Sequence, residues 1–242
     1  MNKVVLITGG SRGIGRATSE KFSQNGYDII ILYSTDEVSA RNTKEELESK
    51  YNNIIDIIKC DVSNEEQVKN VINIIKDNYD NIDCIVNNAG IAIDNLPDYK
   101  NSDEFLKVLS VNLLGTYLVT KYASKLIDKG SIINVSSTNG IDTNYIESMD
   151  YDASKAGVIS LTHNFAKMYS PKIRVNAIAP GWVDTEMNQD LDENFKNNEI
   201  SKCLLKRFAT TSEIANIIYF LATDEASYIN DAIIRVDGGF NA

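Results

Sequence analysis

Histidine and cysteine are scarce in this chain of 242 residues, and their scarcity excludes several classes of site. The single histidine, His163, argues against His-rich metal centres and leaves Ser-His-Asp hydrolysis to that one residue. The three cysteines, Cys60, Cys84 and Cys203, fit neither a metal-binding spacing nor a disulfide framework. We therefore predict no metal site and a reducing, cytoplasmic location.

Positive charge and long apolar runs are lacking as well. The 24 basic residues against 34 acidic ones leave a net charge of −10, which is a poor match for nucleic acid or an anionic membrane surface. No apolar run approaches the roughly 18 residues of a membrane-spanning helix. The first apolar run begins at Lys3, which leaves no room for a signal peptide. We expect no nucleic-acid partner and no membrane partner.

What the sequence has is a regular alternation of short β-branched runs with longer amphipathic segments. Runs of this kind are typical of strands buried on both faces of a parallel sheet. The pattern predicts a doubly wound α/β fold: a Rossmann-like parallel sheet of about seven strands, with helices on both faces, in a single domain over 1–242. The predicted strands are 3–8, 28–33, 54–59, 82–87, 131–136, 173–178 and 231–236.

Two further local features carry predictions. Ser63, with Glu66 three residues later, forms a capping-box pattern, so we expect it to open the helix that follows the third strand. The polar, acidic stretch 186–206 is the only long segment between the last two strands. We expect it to form a mobile helical lid over a ligand site.

A glycine-rich stretch, TGGSRGIGRA at 8–17, follows the first strand and opens the first helix. Gly9, Gly13 and Gly15 have the spacing G-x-x-x-G-x-G. Gly9 permits the turn, Gly13 lets backbone N–H groups approach a phosphate, and Gly15 lets the helix pack closely on the strand. A tight turn without a ligand is the alternative, but the position after the first strand favours dinucleotide binding.

The end of the second strand indicates which dinucleotide binds. An NAD enzyme places an acid there to bind the ribose 2′-hydroxyl, whereas this chain has Tyr33 in the stretch ILYSTDE. Four nearby residues offer hydroxyl groups and one cation to a 2′-phosphate: Ser11, Arg12, Ser34 and Thr35. We therefore favour NADP(H) over NAD(H). Arg12 could equally be a solvated loop arginine, and Asp36 or Glu37 could restore NAD binding.

Two tyrosine–lysine pairs have the i, i+4 spacing of a helix. Tyr151 and Lys155 lie in YDASK, and Tyr117 and Lys121 lie in YLVTK. This spacing points both side chains of a pair the same way. It suits either proton-transfer chemistry or a lysine lying on an aromatic surface, and the pairs alone do not decide between the two.

Taken together, the motifs resemble the short-chain dehydrogenase/reductase family. They follow the family's order over nearly the whole chain: TGGSRGIG (8–15), NNAG (87–90), VNLLGT with Asn112, INVSS (133–137), YDASKAG (151–157), RVNAIAPG (174–181) and VDGGF (236–240). Within the family, the resemblance is to 3-oxoacyl-[acyl-carrier-protein] reductases and to related sugar or alcohol dehydrogenases. It also implies a homotetramer.

The resemblance implies roles for particular residues. It implies a catalytic set of four: Asn112, Ser137, Tyr151 and Lys155. It implies a cofactor site formed by Gly9, Ser11, Arg12, Gly13, Ile14, Gly15, Ser34, Thr35, Asp61, Val62, Asn88, Ala89, Gly90, Tyr151, Lys155, Pro180, Gly181, Val183 and Thr185. His163 has no catalytic task in this set, so we interpret it as a residue of a helix face.

Position in the fold separates the two tyrosine–lysine pairs. Tyr151 follows Ser137 by 14 residues, and Ser137 ends the fifth predicted strand. Ligands of open α/β sheets bind beyond the carboxyl ends of the strands, so these two residues can face one substrate. Tyr117 has no such serine upstream. We interpret it as a core or interface residue, and Lys121 as a surface residue.

The predicted reaction moves a hydride between nicotinamide C4 and a carbon bearing oxygen, with Tyr151 as the proton donor in reduction. A free phenol has a pKa near 10, about 3 units too high, and closing this gap takes roughly 4 kcal/mol. An ammonium about 6 Å away contributes about 3 kcal/mol at an effective dielectric of ~20, so we expect Lys155 to lower the pKa of Tyr151. Ser137 would orient the substrate oxygen. By resemblance, Lys155 also binds the nicotinamide ribose and Asn112 carries a relay water.

The expected function is NADP(H)-dependent reduction of a 3-oxoacyl thioester on an acyl carrier protein. A sugar or small-alcohol dehydrogenase is one alternative, and a non-catalytic dinucleotide-binding redox sensor is another. An acidic carrier would require basic residues near the site, and Lys129, Lys172 and Arg174 are candidates. The acidic 186–206 segment and the net charge argue against tight carrier binding.

Overall fold

The computed structural model describes residues 2–189 and 191–240. Residue 190 of the predicted lid, and residues 1, 241 and 242 of the predicted domain, lie outside the described residues. Within them, seven parallel strands form one sheet in the order β3-β2-β1-β4-β5-β6-β7, as the α/β prediction required. The strands are β1 (Val4–Thr8), β2 (Asp28–Tyr33), β3 (Ile55–Lys59), β4 (Cys84–Asn87), β5 (Gly130–Val135), β6 (Ile173–Pro180) and β7 (Ile233–Val236).

The order of winding reverses at the centre of the sheet. The chain adds β2 and β3 on one side of β1 and then returns to place β4 on its other side. In doubly wound sheets ligands bind at such a switch point, outside the carboxyl ends of the strands. The segments that follow β1 and β4 therefore occupy the position expected for a nucleotide site.

Helices cover both faces of the sheet. In the described residues they are α1 (Gly13–Gln24), α2 (Glu37–Lys50), α3 (Glu65–Asn78), α4 (Ser102–Leu109), α5 (Gly115–Ala123), α6 (Met149–Tyr169), α7 (Glu193–Lys202) and α8 (Thr211–Ala222). Alternate residues of β1 point to opposite faces: Val5 packs with Phe22 of α1, whereas Leu6 packs with Val68 of α3 and Leu118 of α5. None of the described helices has the length and apolarity needed to cross a membrane.

The predicted capping box before α3 is wrong by one residue. The side chain of Asn64, not Ser63, caps the helix by accepting a hydrogen bond from the backbone of Gln67 at 3.0 Å. Ser63 instead donates its hydroxyl to the carboxylate of Asp61 at 2.6 Å. Both residue types are good caps, and the carboxylate two positions upstream draws the serine away from the helix.

Replacing Asn64 with alanine should lower the free energy of unfolding by about 1 kcal/mol, because the first turn of α3 loses its side-chain acceptor. Chemical denaturation with circular dichroism would measure the change. An Asn64→Asp variant keeps an acceptor oxygen at the same place and should retain most of the stability. Equal losses in the two variants would show that the side chain stabilises the protein by something other than capping.

Candidate active site

Three glycines of the loop between β1 and α1 occupy positions where a side chain would be strained or would clash. Gly9 and Gly13 have φ values of +63° and +50°, which residues with a Cβ rarely adopt. A Cβ at Gly15 would overlap the carbonyl oxygen of Gly9 and lie 2.6 Å from Nδ2 of Asn88. Within the described residues, the Arg12 side chain makes no capping bond to α1. The loop thus presents bare backbone at the amino end of a helix, which fits the pyrophosphate of a dinucleotide.

The segment after β4 packs directly on this loop. The amide nitrogen of the Asn88 side chain donates to the carbonyl oxygens of Thr8 and Gly9 at 3.0 and 3.1 Å. The hydroxyl of Thr8 accepts the backbone N–H of Ala89 at 2.9 Å. These bonds fix the two loops at the switch point to each other, so residues 88 and 89 contribute to the structure of the nucleotide site.

Gly90 connects the nucleotide side of the site with the predicted catalytic residues. A Cβ at Gly90 would lie 3.4 Å from Oδ1 of Asn112 and 3.5 Å from Nζ of Lys155. The loop after β4 therefore lies in van der Waals range of both side chains. Three predicted site residues meet at this point.

The segment after β6 reaches the glycine loop from the other side. The methyl carbon of Thr185 would lie 3.6 Å from a Cβ at Gly13. Pro180 ends β6, and the N–H of Gly181 donates to the carbonyl of the last residue of β7 at 3.1 Å. Val183 is buried in the core. The structure thus brings Thr185 to the loop, while Val183 supports the segment from beneath.

The residues after β2 lie where the 2′ position of an adenosine ribose would be recognised. Ser34, Thr35 and Arg12 are exposed. The guanidinium of Arg12 lies 3.5 Å from the carboxylate of Asp36, which caps α2 by accepting hydrogen bonds from Ser39. Those bonds from Ser39, with a smaller effect of Arg12, lower the pKa of Asp36, so its negative charge faces Arg12 at neutral pH.

Four other predicted cofactor contacts also have structural roles. The carboxylate of Asp61 accepts both the backbone N–H and the hydroxyl of Ser63. Val62 and Ser11 are buried, and Ile14 packs against the core formed by α1 and α8. Their contacts with a cofactor stay predictions.

The end of β5 and the first turns of α6 bring the predicted catalytic residues together. Lys155 is buried, and its Nζ donates to the carbonyl oxygen of Val135 at 2.8 Å. The hydroxyl of Ser136 donates to the carbonyl of Lys155 at 2.8 Å. Nζ of Lys155 lies 5.4 Å from the centre of the Tyr151 ring, and the Ser137 side chain is near enough to lower the pKa of the Tyr151 phenol. A phenol, a hydroxyl and an ammonium therefore share one site.

Asn112 lies in a single turn of π-helix, Ser110–Leu114, between α4 and α5. Its Oδ1 accepts the N–H of Ile91 at 2.8 Å, and its Nδ2 donates to the carbonyl of Ile91 and to the hydroxyl of Ser154, both at 3.0 Å. The buried side chain thus ties the segment after β4 to α6. Its predicted role in a water relay stays a prediction.

The expectation that Lys155 lowers the pKa of Tyr151 is opposed by burial. Burial raises the pKa of Tyr151 to about 12, and hydrogen bonding to Ser137 opposes the rise. Burial also lowers the pKa of Lys155 to about 8. Removing water disfavours the charged form of each group.

The second tyrosine–lysine pair lies elsewhere, on α5. The Tyr117 ring stacks on Phe165 with 6.2 Å between centroids, and it is 38% exposed. The ammonium of Lys121 pairs with the carboxylate of Glu65 at 3.0 Å on the surface. His163 pairs with Asp231 on an exposed part of α6. Within 2–189 and 191–240, no three His, Cys, Asp or Glu side chains lie together as metal ligands would.

Sequence reasoning missed two polar contacts beside Tyr151. Asp150 is buried and pairs with Lys100 at 2.6 Å. The side-chain amide of Asn139, two residues after Ser137, donates to the carboxylate of Asp152 at 2.6 Å. The only signal in the sequence is that acids flank Tyr151 on both sides, and nothing in the local pattern identifies their partners.

An aromatic cluster joins segment 186–206 to the loop before α6. Tyr145, Trp182 and Phe195 lie with their ring centroids 5.7–6.3 Å apart. Glu199 of α7 is buried beneath them and accepts hydrogen bonds from the Tyr145 hydroxyl at 2.6 Å and from Nε1 of Trp182 at 3.2 Å. Helix α7 forms part of segment 186–206. That the segment is a mobile lid over a ligand site stays a prediction.

The basic residues considered for carrier binding do not border the site within one chain. Lys129 and Lys172 are exposed, but they immediately precede β5 and β6. They therefore lie at the amino ends of the strands, whereas Tyr151 lies at the carboxyl ends. The guanidinium of Arg174 is half-buried and donates to the carbonyl oxygens of Thr223 and Ile229 at 3.0 and 3.2 Å. Arg174 is therefore a structural residue.

Comparison with known proteins agrees with this geometry. The profile of a family described as Enoyl-(Acyl carrier protein) reductase matches residues 9–241. A 3-oxoacyl-[acyl-carrier-protein] reductase from Aquifex aeolicus is 37% identical over 241 residues, which cover 98% of this chain and 96% of the relative. One from Thermotoga maritima is 38% identical over 247 residues, with 98% and 97% covered.

A solved structure is similar over the same length. The short-chain dehydrogenase/reductase from Serratia marcescens BCRC 10948 superimposes with a TM-score of 0.94 at 29% sequence identity. The match covers 99% of this chain and 98% of that one. The matched length therefore includes the glycine loop, the predicted catalytic residues and segment 186–206.

Proposed function

Because the chain belongs to the short-chain dehydrogenase/reductase family, we propose that it reduces 3-oxoacyl thioesters carried on an acyl carrier protein with NADPH. The chain is an oxidoreductase that uses a nicotinamide dinucleotide. One observation supports a ketone as substrate. Ser137, Tyr151 and Lys155 lie close together at the carboxyl ends of the strands, where the glycine loop also lies. Reducing a C=O bond requires a proton at oxygen, and we propose that the hydroxyls of Tyr151 and Ser137 both bind that oxygen.

In the proposed mechanism the side chains of the protein donate the proton and stabilise the charge that its loss leaves behind. When bound, the reduced nicotinamide supplies the hydride that adds to the carbonyl carbon. Tyr151 gives its phenolic proton to the carbonyl oxygen, and Ser137 orients that oxygen by a hydrogen bond. The ammonium of Lys155, anchored by the carbonyl of Val135, stabilises the phenolate that remains. The product is the 3-hydroxyacyl thioester, and solvent returns the proton to Tyr151.

The preference for NADPH rests on the residues after β2. Tyr33 replaces the acid that would bind a 2′-hydroxyl, and Arg12, Ser34 and Thr35 are exposed beside it. Asp36 works against the preference because its carboxylate faces Arg12 at 3.5 Å. We propose that a 2′-phosphate replaces Asp36 as the partner of Arg12. The exposed ion pair of these two residues contributes little to stability, so breaking it costs little.

Segment 186–206 is proposed to close over the substrate. Its helix α7 is fixed to the loop before α6 by Glu199, Tyr145 and Trp182, and these residues come from three separate parts of the chain. Such a contact between a helix and two loops can break and reform as substrate enters and product leaves. The aromatic cluster would then form one wall of the substrate pocket.

The proposal includes a cytoplasmic homotetramer. Tyr117, which is 38% exposed, and the partly buried Tyr169 both stack on the buried ring of Phe165, so two tyrosine rings reach the surface of α5 and α6. This aromatic surface suits an interface between subunits. The sugar-dehydrogenase and redox-sensor alternatives are not favoured, since the relatives are 3-oxoacyl reductases and all four predicted catalytic side chains are present.

Replacing Tyr151 with phenylalanine should lower kcat for a 3-oxoacyl thioester by about 10²–10⁴-fold, because the proton donor is lost. The assay is NADPH oxidation followed by absorbance, with NADPH binding measured separately by fluorescence and expected to persist. Tyr117→Phe is the matched control, as Tyr117 also has a lysine four residues later, and its kcat should stay at the wild-type value. Full activity in Tyr151→Phe would overturn the assigned role.

Replacing Arg12 with alanine should weaken NADPH binding by about tenfold, since a hydrogen bond to a charged group is worth roughly 1.5–3 kcal/mol. NADH has no 2′-phosphate, so its dissociation constant should change much less. Both constants can be measured by titrating nicotinamide fluorescence, with Arg41→Ala, an exposed arginine of α2, as control. Equal weakening of the two cofactors would argue against the proposed preference.

Replacing Tyr145 with phenylalanine should loosen α7, because the buried carboxylate of Glu199 loses its 2.6 Å hydrogen bond at a cost of about 1–3 kcal/mol. Trp182 is the only tryptophan of the chain and contacts Glu199, so its emission reports on this contact. We expect a red shift and stronger quenching by acrylamide. Tyr99→Phe, on an exposed tyrosine, is the control. Emission unchanged from wild type in Tyr145→Phe would contradict the prediction.

A further inference from the structure

A hydrogen-bonded chain leads from Ser137 to the first turn of α6. Ser137 donates its hydroxyl to Oδ1 of Asn139 at 3.1 Å and accepts the backbone N–H of Asn139 at 3.2 Å. Nδ2 of Asn139 donates to Oδ1 of Asp152 at 2.6 Å. Because one side of the Asn139 amide bonds to Asp152, its oxygen must point at Ser137. The carboxylate therefore determines which end of the amide faces the catalytic hydroxyl.

The carboxylate of Asp152 is itself held in place. Its Oδ2 accepts the backbone N–H of Tyr145 at 3.3 Å, and Tyr145 is anchored through its hydroxyl to Glu199. Asp152 directly follows Tyr151 on α6, so the chain of bonds begins beside one proposed catalytic residue and ends at another. The sequence gives no hint of this, since residues 139 and 152 lie on different elements.

We propose that Asn139 and Asp152 are positioning residues that fix the orientation of the Ser137 hydroxyl for the reaction described above. This inference rests on the proposed function. Neither residue need touch the substrate. The hydroxyl hydrogen of Ser137 can turn from Asn139 toward a substrate oxygen. The backbone N–H of Asn139 then still donates to the hydroxyl oxygen of Ser137 and holds that oxygen in position. A mispositioned catalytic group can lower a rate by roughly 10²-fold for a displacement of 1 Å.

Asp152 also has an electrostatic effect on Tyr151 that a purely structural residue would not have. Its negative charge raises the pKa of the phenol, as does that of Asp94 in the segment after β4. Lys155 faces the same ring, and Asp150 beside it is paired with Lys100. Burial raises the pKa of Asp152 itself, while the bonds from Asn139 and Tyr145 oppose the rise.

The sign of the pH effect follows from these charges. Removing the charge of Asp152 makes the phenolate of Tyr151 easier to form, so its pKa falls. Reduction, which needs the protonated phenol, should then begin to decline at a lower pH, and alcohol oxidation should rise at a lower pH. We expect removal of the Asp152 charge to move the pH dependence of kcat by roughly half a pH unit.

Three variants separate positioning from charge. Asn139→Leu and Asp152→Ala break the hydrogen-bonded chain and should lower kcat by about tenfold or more, with little change in NADPH binding. Asp152→Asn keeps an acceptor oxygen for Asn139 and gives up only the longer bond from the backbone N–H of Tyr145, so it should keep kcat within about threefold of wild type while moving the pH profile down. Crystal structures of the variants should show the Ser137 hydroxyl displaced only in Asn139→Leu and Asp152→Ala.

The control is Glu147→Gln, which removes one negative charge from an exposed residue of the same loop and should change neither kcat nor the pH profile. Wild-type kcat and an undisplaced Ser137 in both Asn139→Leu and Asp152→Ala would overturn the proposal. So would an Asp152→Asn variant as slow as Asp152→Ala. If one variant fails to fold, the other still tests the chain. A wild-type enzyme that reduces a sugar but no 3-oxoacyl thioester would contradict the proposed function. The Asn139 and Asp152 variants could then still be compared with the sugar as substrate.

Discussion

The docking of α6 against the end of β5 is the contact on which the candidate site depends. The Lys155 ammonium bonds to the carbonyl of Val135, and the hydroxyl of Ser136 bonds to the carbonyl of Lys155, each at 2.8 Å. Gly140 lies so close that a Cβ there would be 2.6 Å from the Lys155 carbonyl carbon. A bulkier residue at 140 would force the two elements apart. Since Ser137 lies in the same segment and Tyr151 on the same helix, this docking also sets the distance between the two hydroxyls.

The burial that assembles the site also works against its chemistry. Burial raises the pKa of Tyr151 to about 12, which disfavours a phenolate at neutral pH. Two neighbours favour the phenolate instead: hydrogen bonding to Ser137 lowers the pKa, and Nζ of Lys155 lies 5.4 Å from the centre of the ring. The docking of α6 on β5 holds both neighbours in place, so the proposed proton transfer depends on that contact.

Local signals predict much of the fold and the nucleotide side of the site. β-Branched runs gave the strands, and the glycines of 8–17 lie where positive φ and close packing require them. The helix cap was misplaced because Ser63 and Asn64 are both suitable, and only the bond between Ser63 and Asp61 decides. Contacts such as Glu199 with Tyr145, 54 residues apart, leave no local pattern. They depend on where α7 and the loop before α6 meet after folding.

The two tyrosine–lysine pairs show why spacing alone does not make a proton donor. Lys121 is exposed, and the carboxylate of Glu65 cancels its charge at 3.0 Å. Its neighbour Tyr117 therefore gains little from it, and water screens what is left. Lys155 is buried and bonded to a neutral carbonyl, so its charge acts on Tyr151 through a medium of low polarity. The difference lies in the elements that surround each pair. A lysine four residues after a tyrosine can help the phenol release its proton only where the fold leaves that cation without a counterion.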